Sequence, residues 1–366
     1  MNKEYDTYVK NTLKMIRYFQ KKISPTMCKT DAFFKDFTVL EEAKDNRNGE
    51  IYKNSVCIRA KECSDTILKI TPLSEQDISY YTQNRFYRSS SLIELYIFKL
   101  LTELHKKKVC PNLPFIYTSA LCLGDCSFTL KDILKSYDNI QGCLLTFTPK
   151  AENTLKYFLK EKKRLSTKAI LQIFFQIFVG LYVLYNQFSV EHHDLHYKNV
   201  LYIKTPGSIQ YYTYILKTGE KVTIECPFTF YLWDFGISRF DNTGWGASGY
   251  TSAHKENKEN YGDFFDFANI VGTIPSQYKE ARGILKKCIR TSSTREEVLI
   301  NMIPFLPKHQ GKTGVNFNIS KKVKIPSVKV FTTPQEKVIN EYVDSQGFFS
   351  PIKDSVTKAL KSIFSF

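Results

Sequence analysis

The sequence predicts an α+β fold in two lobes, a β-rich first lobe to about residue 147 and a mainly helical second lobe after it. Three observations lead there. Alternating, β-prone runs dominate residues 37–70 and return at 114–123 and 142–148, with one long helical pattern between them. A stretch apolar nearly all round, 166–188, opens the second part and reads as a buried helix. Directly after it, VEHHDLHYKNVLYI (190–203) sets a polar turn between two apolar, β-prone flanks.

Size and composition bound the possibilities. The 366 residues, 43% hydrophobic and 24% charged, suffice for a large core and two or three folding units. Lys, Asp and Glu are scattered through residues 1–22, unlike a secretory leader. The greasy run AILQIFFQIFVGLYVLY (169–185) is broken by Gln172 and Gln176 and falls short of the roughly 18 to 20 apolar residues a bilayer needs. An intracellular protein without a membrane span, in cytoplasm or nucleus, is the expectation. Nine cysteines, an odd number with no repeated CxxC spacing, suit reduced, mostly buried thiols. The formal charge of +16, densest over 150–168 and 308–329, draws acidic partners: acidic protein, nucleic acid or anionic lipid.

Element by element, residues 1–36 are polar and mixed, helical around 8–21. FTVLEEA, IYKNSVCIRA and TILKI (37–70) form a three-stranded antiparallel unit around polar turns. SSSLIELYIFKLLTEL (89–104) reads as a helix with Ser91 at its N-cap. PFIYTSALCL and GCLLTFT return to strand, separated by a polar insert at 124–141. NTLKYFLKEKK (153–163) is a short amphipathic helix before the long one. Strands run to Phe235, with a hairpin turning around Thr218 and Gly219, and helices cover 264–306. A Lys-rich strap (308–334) and short helices near 334–343 and 351–364 complete the pattern. The segments fall as 1–36, 37–147, 148–307 and 308–366.

The polar turn admits three readings: a metal site of His192, His193 and His196, a turn without function, and a catalytic loop. FYLWDFGISRF (230–240) discriminates, because an apolar strand delivers Asp234 and the Phe-Gly after it permits a sharp turn. His192, Asp194, Leu195 and Asn199 stand as H-x-D-L-x-x-x-N, and Asp-Phe-Gly follows on the next strand pair. These signatures, in this order, resemble the catalytic and metal-binding loops of the protein kinase superfamily. The zinc reading recedes, since a loop between strands does not hold His192 and His196 one helical turn apart.

The resemblance implies a bilobal protein-kinase-like fold that binds ATP and Mg²⁺ at the junction of its lobes. It makes Asp194 the acceptor of the substrate hydroxyl proton and places Asn199 and Asp234 on the metal. Lys69 in TILKI would contact the phosphates and Glu94 in SLIEL would fix it, although Ser91 and Glu94 also spell a capping box. The adenine would lie against LTFTP, involving Thr146, Phe147 and Thr148, with Thr146 as gatekeeper. Of the glycine-rich loop only Gly49 remains, with Ile51 beside it in NGEIY, so phosphate cradling is looser or made differently. Asp263 or Asp266 would brace the catalytic loop; the sequence does not decide between them, and FFDFANIV leans to Asp266.

The departures from the pattern are informative. His193 replaces the arginine that would answer a phosphorylated activation segment, so switching at Thr243, Ser248 or Thr251 is not expected. His196 stands where serine/threonine kinases place a lysine, and Lys198 offers a substitute charge. HxDLHxxN with a strand-rich insertion before Asp-Phe-Gly is similar to haspin and to kinases of large DNA viruses. That resemblance implies phosphorylation of Ser or Thr in proteins, in the host cell or virion if the source is viral, and the positive charge favours substrates that are acidic or held on an acidic surface such as nucleic acid. A small-molecule kinase of the choline or aminoglycoside type and a pseudokinase scaffold are the alternatives.

Overall fold

The period-two runs of the first third pair into a sheet because each has an apolar face to bury. The computed structural model describes residues 3–23, 38–39, 50–57, 63–124, 140–162, 165–241, 245–246, 262–309, 311–312 and 314–345. Helix α1 (Lys3–Lys22) comes first, followed by strands β1 (Thr38–Val39), β2 (Glu50–Cys57) and β3 (Cys63–Ser74). Helices α2 (Glu75–Thr82) and α3 (Ser90–Lys106) lead to β4 (Thr118–Leu123) and β5 (Ile140–Pro149). The five strands lie in the order β1-β2-β3-β5-β4, each pair antiparallel.

Register assigns side chains to the two faces. Leu68 stands opposite Phe147 and Ile70 opposite Leu145. These four share a buried cluster with Met15, Ile16 and Phe19 of α1. Phe19 stacks on Tyr117 at 5.0 Å and approaches Phe147 at 5.5 Å between ring centroids. The intervening pair, Lys69 and Thr146, faces the other way, toward α3. Helix α1 is therefore part of the core behind the sheet.

Two local expectations need correction. The N-cap of α3 is Ser89, not Ser91: Ser89 has extended backbone and its hydroxyl accepts the Leu92 N–H. Glu94 is then too far along the helix to close a capping box. A capping box does form at Ser74 and Asp77, where it starts α2, a helix absent from the sequence reading. Its signal, S-x-x-D after an apolar strand, is present in the sequence.

Past the sheet come β6 (Asn153–Thr154), α4 (Leu155–Glu161) and α5 (Thr167–Phe188). By length and composition α5 could cross a membrane, at mean hydropathy 1.7, yet 83% of that window is buried inside the protein. Strands β7 (Val190–Glu191), β8 (Val200–Lys204), β9 (Tyr211–Ile215), β10 (Lys221–Glu225), β11 (Phe228–Leu232), β12 (Arg239–Phe240) and β13 (Trp245–Gly246) follow. They form small sheets ordered β11-β8-β6, β13-β12-β7 and β10-β9-β14, where β14 (Val315–Asn318) lies parallel to β9. The β9–β10 hairpin turns through Gly219 at φ +85°. Helices α6 (Asp263–Gly272), α7 (Lys279–Arg290), α8 (Arg295–Met302) and α9 (Thr333–Ser345) complete the described chain.

The glutamines that interrupt α5 hold strands to it. Gln176 Oε1 accepts from the Phe230 N–H (3.1 Å) and from Asn112 Nδ2 (3.0 Å), and its Nε2 donates to the Phe228 carbonyl. Gln172, one turn earlier, accepts the Glu225 N–H at 2.7 Å. On the same helix, a Cβ on Gly180 would stand 2.9 Å from the Asn112 carbonyl, so only glycine admits that backbone.

Among the described cysteines, Cys110, Cys122, Cys226 and Cys288 are buried free thiols. Cys63, at the start of β3, and Cys143, opposite Pro72 near its other end, are each in a disulfide, so the expectation of reduced, mostly buried thiols is met by those four and not by these two. The expected turn before β2, the polar insert before β5 and the helix at 351–364 fall outside the described residues.

The α1 contact carries a prediction. Phe19→Ala removes a fully buried ring and should lower the unfolding free energy by about 3 to 5 kcal/mol. The exposed Gln20→Ala should stay within about 0.5 kcal/mol of wild type. Denaturant midpoints with slopes measure both.

Candidate active site

Two loops meet because the strands that carry them are paired. Strand β8 runs antiparallel to β11, with Val200 opposite Leu232, so the residues before β8 and those after β11 emerge at the same edge. The Trp233 N–H donates to the Asn199 carbonyl at 2.8 Å and continues the ladder one step into the loops. Beyond them β12 pairs with β7, Arg239 opposite Glu191, which fixes the far ends as well. His193 and Asp234 both take φ +61°, a left-handed conformation that side chains of this kind adopt at a cost of about 1 kcal/mol or more.

His192 is buried and ties the two loops together. Its Nε2 lies 2.8 Å from the Trp233 carbonyl, and its Nδ1 accepts the Asp194 N–H at 3.3 Å. A carbonyl on one side and an N–H on the other select the neutral Nε2–H tautomer. Burial pushes its pKa down to about 4. The Ser238 hydroxyl donates to the His192 carbonyl, and the ring leans on Phe235.

Asp194 is half-exposed beside this anchor. Asn199 Nδ2 donates to its backbone carbonyl (2.9 Å) and to its Oδ2 (3.0 Å). With the amide hydrogens so placed, Asn199 Oδ1 is its remaining polar atom. Burial, then the charge of Asp234, raises the pKa of Asp194, against the opposing pull of His196 and the Asn199 bond. His196 is exposed, its Nε2 4.0 Å from Asp194 Oδ2. Lys198 is exposed on the same loop and makes no hydrogen bond or ion pair with a described residue. Asp266 Oδ2 accepts the Leu195 N–H at 3.3 Å, and burial lifts its pKa to about 6.

The sheet contributes an ion pair. Lys69 Nζ lies 2.7 Å from Glu94 Oε2 and 3.0 Å from Oε1, with both side chains about nine-tenths buried. Burial raises the Glu94 pKa, Lys69 pulls it down and the Asp234 charge pushes it up. One turn along α3 from Glu94, Phe98 meets Phe235 edge-on at 5.5 Å and the Trp233 ring at 4.8 Å. Gly236 lies against the start of α3, where an added Cβ would be 2.4 Å from Ser90 Oγ. The Asp-Phe-Gly segment and the helix bearing Glu94 are thus packed on one another.

The remaining expected residues divide by strand parity. Ile51 and Thr146 both stand opposite Lys69 on the neighbouring strands and share its face, and Thr148 lies two residues further along that face. Phe147 does not: its ring is on the opposite face against Phe19, and its carbonyl accepts the Tyr117 N–H at 2.7 Å. Its side chain therefore cannot meet a ligand on the Lys69 face. Gly49, Thr243, Ser248 and Thr251 lie outside the described residues.

Nor do the three histidines converge. Among the described residues no group of three His, Cys, Asp or Glu could hold a metal ion. His193 Nε2 instead pairs with Glu191 Oε2 at 3.2 Å. Arg295 Nη2 reaches Glu191 Oε1, with its guanidinium 3.5 Å above the Tyr185 ring. Burial pushes the Glu191 pKa up, but the His193 bond and Arg295 outweigh it and hold the carboxyl below its usual range. Nothing in the sequence pattern announces this network. The partners are far apart in the chain and no spacing links them.

Comparison with known proteins follows the same line. Residues 3–251 match the haspin-like kinase domain. A probable kinase, 098L, of Invertebrate iridescent virus 3 is 34% identical over 91 residues, which is 25% of this chain and 16% of that protein. The matched model is that of a kinase domain. The chain belongs to the haspin-like kinase family. The match begins at residue 3 and so includes α1.

Burial of neutral His192 makes the site acid-sensitive. A pKa lowered from 6.5 to about 4 means a stabilising contribution that is complete above 6.5 and is lost as pH falls toward 4. His192→Phe should melt below wild type at neutral pH, and the gap in thermal midpoint should narrow over that acid window. A gap that stays constant with pH would contradict the assignment.

Proposed function

We propose that the protein transfers the γ-phosphoryl group of ATP, with Mg²⁺, to Ser or Thr hydroxyls of protein substrates. The observation that carries this reading is the joint arrangement of Asp194, Asn199 and Asp234 on paired loops with a formed Lys69–Glu94 pair. ATP would lie between a lobe built on the sheet (37–147) and a helical lobe (148–307), its adenine near Thr146 and Thr148 and under Ile51. From Phe147 only the backbone is available. Residues 1–36 and 308–366 flank this core.

The residues suit the ligands. Asn199 Oδ1 and the Asp234 carboxylate are hard oxygen donors of the kind magnesium takes. Asp234 raises the pKa of both Asp194 and Glu94, a like-charge cost that a bound cation relieves. Bound metal would neutralise charge on the phosphate oxygens. Lys69, fixed by Glu94, would hold the phosphates of the nucleotide. Asp194 would orient the substrate hydroxyl and accept its proton as oxygen bonds to the γ-phosphorus. The bond to the bridging oxygen breaks and ADP leaves with its electron pair. His196 would stand where other kinases place a lysine, and Lys198 would supply the positive charge in its place. Glu191 already occupies His193 and the Arg295 guanidinium, which supports activity without loop phosphorylation.

The roles separate experimentally. Asp194→Asn should lower turnover by at least about a thousandfold with nucleotide affinity nearly unchanged, whereas Asp234→Asn should also weaken Mg²⁺-dependent nucleotide binding. Single-turnover assays beside equilibrium nucleotide binding read the two effects, and wild-type turnover in either variant would refute the roles.

Substrate class follows from charge. Lys279, Lys286, Lys287 and Arg290 are exposed on α7 and add to the net charge of +16, so acidic proteins, or proteins presented on nucleic acid, are favoured. Casein should be labelled on Ser or Thr, with its KM rising between low and physiological salt as screening shortens to about 8 Å. Turnover of choline or an aminoglycoside with no protein labelled would move the enzyme to small-molecule phosphorylation.

A further inference from the structure

Helix α3 is held on two sides. Its inner side carries Glu94 to Lys69. Five residues on, about 140° around the helix, Lys99 Nζ donates to the Val330 carbonyl at 2.5 Å and reaches that of Lys329 at 3.4 Å. Burial lowers the Lys99 pKa to about 8, which marks a cation taken out of water for this contact.

The segment that receives Lys99 is anchored at both ends. Upstream, Phe317 is buried among Tyr5, Tyr212 and Tyr214, and β14 adds to β9. The chain then follows the end of α5, where Asn186 donates to the Ser320 carbonyl and Gln187 to that of Lys321, and Gln187 Oε1 accepts the Val323 N–H. Downstream, Phe331 is fully buried, its ring 4.7 Å from that of Tyr81 on α2. The Tyr81 hydroxyl donates to Glu336, Gln335 Oε1 caps α9 by accepting the Thr332 N–H, and α9 lies against β4. A single strap thus roots on β9 and on α5, the helix that leads into the Asp194 loop, and grips the outer side of α3.

We propose that residues 319–345 are the positioning element of α3: docked on Lys99, Tyr81 and β4, they hold Glu94 on Lys69 and so set the affinity for nucleotide phosphates. This rests on the kinase reading given above. Beside the packing of Phe98 on Phe235 and Trp233, the inner side of α3 carries one buried ion pair, which contributes little net stability once its desolvation is counted. The strap supplies apolar burial and backbone hydrogen bonds on the opposite side, independent of any ligand. If its loss leaves the paired state about one-tenth populated, apparent nucleotide dissociation constants rise about tenfold.

The full-length Phe331→Ala and Lys99→Met variants test this from the two sides of the contact. Three measurements apply: amide hydrogen exchange of α3, equilibrium binding of ATP, and turnover. The expected result is faster exchange confined to α3 and α9, an ATP dissociation constant raised about tenfold with a smaller change in kcat, and recovery of both by adding a synthetic peptide of residues 327–345 to Phe331→Ala. Exchange and peptide rescue do not require catalysis, so they report on the strap even if the protein phosphorylates nothing. Released α9 with unchanged α3 exchange and ATP affinity would overturn the proposal. So would loosening spread over the whole chain that the peptide does not reverse, since that pattern belongs to a merely structural contact.

Discussion

The pairing of β8 with β11 is the constraint on which the site depends. Asp194 and Asn199 precede one strand and Asp234 follows the other, so the ladder alone brings these polar groups to one edge. That ladder is itself fastened to α5, because Gln176 satisfies the Phe230 N–H and the Phe228 carbonyl. Buried amides of this kind stabilise only when every partner is present. Asn112 completes the set by donating to Gln176 and the Phe230 carbonyl and accepting from the Tyr214 hydroxyl. The long apolar helix is thus the platform of the two loops of the candidate site, and its two glutamines are the fasteners.

The Lys69–Glu94 pair has a different character. Two charges about nine-tenths buried lose much of their hydration, and mutual attraction at 2.7 Å roughly repays that cost without a large surplus. What the pair gives is orientation, an ammonium fixed on the face of the sheet shared by Thr146 and Ile51. Phe98 and Phe235 couple it to the Asp-Phe-Gly loop, so α3 cannot move without disturbing Asp234.

Legibility in the sequence followed the range of each interaction. Asp194, Asn199 and Asp234 were readable because their spacing is local and their chemistry distinctive. Lys69 and Glu94 were readable through element type and order. Local signals also misled: Ser91 and Glu94 spell a cap, yet the geometry gives the cap to Ser89 and the glutamate to Lys69. Phe147 was placed beside a ligand by proximity to Thr146, and strand alternation puts it on the reverse face. The Glu191, His193 and Arg295 cluster left no trace, since its members meet only once α8 packs beside the loop. Helix α1 looked like an appendage because amphipathicity shows that a face will be buried but not which surface buries it.

The position of α1 also bears on how the chain reaches its native state. The outer sheet face that it covers, Leu68, Ile70, Leu145 and Phe147, is completed by residues from opposite ends of the sheet-forming sequence. Phe19 meets Phe147 only after a very long loop has closed, and contacts of such separation form late. Until then a continuous apolar surface stands open beside β4, an edge strand. Such a species invites association with other chains. Slow maturation and a need for protection during synthesis are the corollary of burying the first helix behind the last strand of the sheet.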